Sequence, residues 1–183
     1  MDSQTDIERL KYPIGKFSKP ETISEKDIKN WITDIEQFPN RLNKLVPYLS
    51  ASELKYRYRP EGWTIKQIVH HCADSHMNSF MRFKLCLTEE LPTIKTYQEA
   101  KWAELPDATE ADISSSLRLL EGLHARWTVL LRSLDPSVLS KQYIHPEKAQ
   151  PMDLANTIAL YSWHCNHHLA HIKQALENNK EEE

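Results

Sequence analysis

The sequence predicts an all-α fold, a four-helix bundle with long inter-helix connections, in one domain over residues 1–183. Two observations carry this. Four long segments each place apolar residues at helical spacing on one face. No segment shows convincing strand alternation, although Lys141–His145 could form a short extended piece. The first helix follows Ser24, with Ile28, Trp31, Ile32, Ile35, Leu42, Leu45 and Val46 on its apolar face. Pro39 lacks an N–H and is expected to kink or split it. The second opens after Gly62-Trp63, where Thr64 and Gln67 have capping-box spacing, and continues through Ile68, Phe80 and Leu87 towards Glu90. The third is expected from near Thr109 to about Leu134, with Gly122 an interior cost of ~1 kcal/mol against alanine. The fourth starts near Pro151, a favoured first helical position, and runs to about Glu177. The stretches 91–107 and 135–150 are irregular and leave room for crossovers, so simple up-and-down winding is not assumed. Residues 1–11 and 178–183 are expected to be frayed ends.

Composition narrows the function classes. A net charge of −3 argues for neither nucleic acid nor an anionic membrane surface as partner. Met1 to Lys11 lacks an apolar signal region, and no apolar run is long enough to span a bilayer. Cys72, Cys86 and Cys165 suggest no disulfide framework, which points to the cytoplasm. No GxGxxG or GxxxxGK[ST] pattern offers a nucleotide-cradling loop.

Chemistry concentrates in histidine. His164, His167, His168 and His171 fall within eight residues near the C-terminus. Advancing ~100° per residue, His164 and His168 border the apolar arc, His171 lies close by, and His167 leans furthest towards solvent. An i, i+4 pair of imidazoles can reach one metal ion. On the second helix, the wheel turns His70 outward and leaves His71 and His76 as candidates for a third ligand. His71 is favoured, because Asp74, Ser75, Asn78 and Arg82 share its polar stripe and could line a site mouth. Asp74 could also orient a ligand imidazole. Three histidines leave a coordination position for water or substrate. Cys72 and Cys165 read as small buried hydrophobes rather than ligands.

Other signals read as structural. The cluster is not HExxH, so thermolysin-type peptide hydrolysis lacks its base. Glu121 and His124 match Glu-x-x-His, but no second match exists to build a di-iron bundle site, and surface or margin polarity is expected for both. Trp63, Trp102, Trp127 and Trp163 are expected mainly in the core. Tyr143 and His145 are expected on a loop, as exposed polarity in preference to a lid.

The segments Trp63–Ser79 and Leu160–Ile172, with their histidines, resemble the two histidine motifs of the DinB/YfiT-like superfamily. Tyr12–Phe17 and Arg82–Glu90 resemble its YfiT branch. The resemblance extends over about residues 11–176. It implies a four-helix bundle, often a homodimer, with His71, His164 and His168 on one divalent metal ion per subunit, which favours His71 over His76. Zinc is the default metal and nickel is also admitted. The implied activity is that of a metal-dependent hydrolase on a small-molecule substrate, with metal-bound water as nucleophile and no side chain assigned as catalytic base. Some wider-family members are thiol S-transferases using thiols such as bacillithiol, which is the alternative. A non-enzymatic metal-binding stress-response module is a third reading.

Overall fold

Each long helix begins where a side chain satisfies its first free backbone N–H groups. The computed structural model describes residues 3–148 and 150–179. Helix α1 (Ser3–Lys11) leads to α2 (Glu25–Leu45), capped by Ser24 and Asp27 in a reciprocal capping box. A 3-10 turn (Glu53–Lys55) precedes α3 (Ile65–Thr88), where Thr64 and Gln67 form the expected box. Two single-turn helices, α4 (Glu99–Trp102) and α5 (Pro106–Thr109), come before α6 (Ser114–Arg132). A second 3-10 turn (Pro136–Ser140) leads to the antiparallel pair β1 (Gln142–Tyr143) and β2 (Met152–Asp153), then α7 (Leu154–Asn178).

Helices α2, α3, α6 and α7 form the four-helix bundle. Both α2 and α3 pack against α6 and α7. Consecutive long helices α2 and α3 therefore face each other diagonally, as do α6 and α7, unlike an up-and-down bundle. The core between them contains Ile35, Phe38 and Leu42 from α2, Ile68 and Phe83 from α3, Leu120 and Trp127 from α6, and Ile158 and Ile172 from α7.

Several boundaries differ from expectation for identifiable reasons. Residues 3–11, expected to fray, form α1. The carbonyls of Leu10 and Lys11 accept hydrogen bonds from Gln174 and His171 of α7, both at 3.0 Å. Of the other expected frayed end, α7 includes Asn178, and 180–183 lie outside the described residues. Helix α6 starts at Ser114 because Asp112 accepts from the Ser114 N–H at 2.7 Å, while Pro106–Thr109 makes its own turn. That region is held to α3 by Gln67, whose Nε2 donates to the Ala103 carbonyl at 2.8 Å. Helix α7 starts after Pro151, because Met152 and Asp153 are committed to β2 and Asp153 caps the helix through the Asn156 N–H at 2.7 Å. Pro39 does not split α2, which runs unbroken with Pro39 buried inside it. It does remove the N–H that would bond the Ile35 carbonyl in a regular helix. Among the described residues no helix is long and apolar enough to cross a membrane.

Candidate metal centre

Adjacent packing of α3 and α7 brings the two histidine motifs together. His71 comes from the second turn of α3, and His164 and His168 stand one turn apart on α7. Their ring centroids are separated by 5.4 Å (His71–His164), 4.9 Å (His71–His168) and 4.4 Å (His164–His168). One nitrogen from each ring lies within 4.8 Å of the other two. An ion bound at ~2.0–2.1 Å holds tetrahedral nitrogen ligands about 3.3 Å apart, so modest ring rotations close the set. Among the described residues, His168 Nδ1 is buried with no hydrogen-bond partner. The donor chemistry therefore suits a borderline divalent ion with coordination positions left over.

The three rings border a cleft of about 460 Å³, a size suited to a small molecule. Trp63 lies against His71 with ring centroids 4.6 Å apart, and Trp163 also lines the cleft. Further out, Arg82, Glu99, His145, Glu147 and Lys148 present both signs of charge. Burial pushes the His71 pKa down to about 4, with the His171 imidazole adding to the effect. The same desolvation, helped by neighbouring imidazoles, holds His164 and His168 well below the ordinary value. The rings are thus neutral near pH 7, the form that offers a lone pair to metal.

The structure sorts the remaining polar residues. His70, expected to point outward, is buried because α5 and α6 cover that side of α3, and its Nδ1 meets Ser116 Oγ at 2.8 Å. His167, expected nearest solvent, is buried under the N-terminal segment. It stacks on Trp163 at 4.3 Å and faces Tyr12 at 6.0 Å. His171 supports the cluster through its bond to Lys11 and a 3.9 Å stack on Tyr58. Asp74 orients no imidazole; partial burial and Asp107 raise its pKa to about 6. Tyr143, expected to be exposed, is buried, with its hydroxyl 3.1 Å from Thr157 Oγ1. Trp127 is fully buried in the core, whereas Trp63 and Trp163 belong to the cleft wall. Cys72 and Cys165 are fully buried, and desolvation raises both thiol pKa values.

Sequence reasoning missed one connected set. His76 is fully buried, and so, nearly, is His124, expected at the surface. Only Glu121 of that Glu-x-x-His match is exposed. His124 Nδ1 lies 2.6 Å from the Ile35 carbonyl, and His124 Nε2 lies 2.7 Å from His76 Nδ1. His76 Nε2 is 3.1 Å from His164 Nδ1. The signal available in the sequence was His124 itself, a polar residue three positions before the apolar Trp127.

The DinB superfamily model matches residues 34–172. "Putative metal-dependent hydrolase BH0277" of Halalkalibacterium halodurans is 49% identical over 166 residues, covering 91% of this chain and 96% of that protein. "Putative metal-dependent hydrolase YfiT" of Bacillus subtilis is 47% identical over 165 residues, covering 90% of this chain and 93% of that one. The solved structure of YfiT superposes with a TM-score of 0.90 at 45% identity, covering 93% of this chain and 97% of that chain. That structure is described as a "probable metal-dependent hydrolase with an unusual four-helix bundle topology". In the present bundle, the diagonal placement of consecutive helices departs from up-and-down winding. Matched over most of its length by family, relatives and fold, the chain belongs to the DinB superfamily.

Proposed function

We propose that the protein is a metal-dependent hydrolase in which His71, His164 and His168 hold one divalent ion, zinc or nickel, against a small-molecule substrate. The observation that carries this reading is the set of three neutral imidazole nitrogens, from two helices, within 4.8 Å of one another at a cleft. The relatives' names point to the same reaction class. A bound ion would supply Lewis acidity, lowering the pKa of water from 15.7 towards ~7 and polarising a carbonyl. The chain's own residues bind and orient. Trp63 shields His71 from bulk water, Trp163 lines the cleft, and Arg82, Glu99 and Lys148 offer polar anchors for the substrate further out. All three thiols are buried, and burial raises their pKa values, which disfavours a cysteine nucleophile.

Elemental analysis of purified protein, beside H71A, H164A and H168A variants, tests the site. Each variant is expected to lose stoichiometric metal together with activity; wild-type metal content in H71A overturns the assignment. A paired screen of ester and amide cleavage against thiol addition to an electrophile tests the reaction. Cleavage without thiol consumption supports the hydrolase. Consumption of bacillithiol by an electrophile without cleavage replaces it with a thiol transferase. Full metal occupancy with no turnover of either kind replaces it with a metal-binding module.

A further inference from the structure

We propose that the Ile35 carbonyl, acting through His124 and His76, fixes the tautomer of His164 so that His164 presents Nε2 to the metal site. This rests on the three-histidine reading only for its final step. A neutral imidazole carries one N–H and one lone pair, and a carbonyl can only accept. Contact with the Ile35 carbonyl at 2.6 Å therefore makes His124 Nδ1 the protonated nitrogen and leaves His124 Nε2 as an acceptor. His76 Nδ1, at 2.7 Å, must then donate to it, which makes His76 Nε2 an acceptor. His164 Nδ1, at 3.1 Å, must donate in turn. The lone pair of His164 is left on Nε2, whose other neighbour is Ser75 Oγ at 3.5 Å, beside the cleft.

The order is forced from one end because that end is unusual. A carbonyl in the middle of a helix is normally engaged by the N–H four residues on. Position 39 is proline, so the Ile35 carbonyl is free to accept from a side chain. The rings along the path are enclosed by Phe38, Trp127 and Tyr161. Every nitrogen of His76 and His124 is used within the chain, and none meets a carboxylate that would hold an extra proton. Ligand imidazoles commonly donate their second N–H to a carboxylate or carbonyl. Here two further histidines carry that connection across the core. His76 and His124 are thus positioning residues.

The test is nitrogen-15 NMR of histidine-labelled, metal-free protein near pH 7.5. Three Nδ1–H tautomers, at His124, His76 and His164, are expected, and an Nε2–H form of either His76 or His164 overturns the proposal. Zinc titration supplies the second readout. His76→Leu is expected to weaken zinc binding about 10–100-fold with the helical circular dichroism unchanged. His76→Gln, whose terminal amide keeps a donor and an acceptor, is expected to rescue it. Equal losses in both variants, or none in His76→Leu, overturn the role of His76, and the wild-type tautomers decide if His76→Leu does not fold. Protein that shows the three tautomers but binds no zinc or nickel supports the tautomer chain and refutes the three-histidine metal reading, so the two failures are distinguishable.

Discussion

Cys72 and Cys165 each follow a proposed ligand by one residue, yet they are chemically remote from the site. One step along a helix turns a side chain by ~100°, and this carries both thiols into the apolar interior, fully buried. Desolvation disfavours the thiolate, which is the form that attacks electrophiles or binds metal. Cys86 is buried as well. Native protein is therefore expected to be almost inert to a chromogenic thiol reagent, and denatured protein to titrate three thiols. Rapid native reaction at Cys72 or Cys165 would contradict the burial. The same angular step explains why His70 and His71, neighbours in sequence, meet different partners: Ser116 for one, the cleft for the other.

At the scale of elements, α7 matters most because it carries two of the three proposed ligands. Its first turn depends on Asp153, which accepts from the Asn156 N–H at 2.7 Å and the Asn156 amide at 2.8 Å. Asp153→Ala is expected to cost about 1 kcal/mol of stability in denaturant unfolding, with metal stoichiometry unchanged. The long helices were legible because their caps and apolar faces are local, as the Thr64 and Gln67 box illustrates. The pairing of His164 with His168 was legible for a related reason, since i, i+4 spacing survives any packing, whereas His71, on another helix, rested on its polar stripe and on the family resemblance. The short elements were legible only in part: the extended piece expected at Lys141–His145 contains β1, whereas helix α1 owes its place to Gln174 and His171, far along the chain. His70 and His124 were misplaced for a physical reason too. A helical wheel assumes one buried face, whereas α3 is covered by α5, α6 and α7 together, and His124 finds its partners on α2 and α3.

For the whole molecule, so many uncharged buried imidazoles make stability depend on pH in a definite direction. Burial holds His71, His124 and His171 at about 4 and His167 at about 3. In the unfolded chain these groups protonate near their ordinary value of ~6.5. From about pH 6.5 down to about 3 the unfolded state thus binds more protons, and stability falls as pH falls; above that window the contribution is complete. Thermal unfolding of metal-free protein is expected to show Tm dropping steadily across that interval, and a Tm constant from about pH 7 to 5 would contradict the neutral cluster. The hydrogen-bonded path from Ile35 to His164 takes one residue from each long helix: Ile35 from α2, His124 from α6, His76 from α3 and His164 from α7. No pair of helices contains it. A partly folded chain with only α3 and α7 docked would gather three imidazoles but leave the orientation of His164 unspecified. If the three histidines hold an ion as proposed, an ion bound tightly only by the closed bundle would hold it shut by mass action.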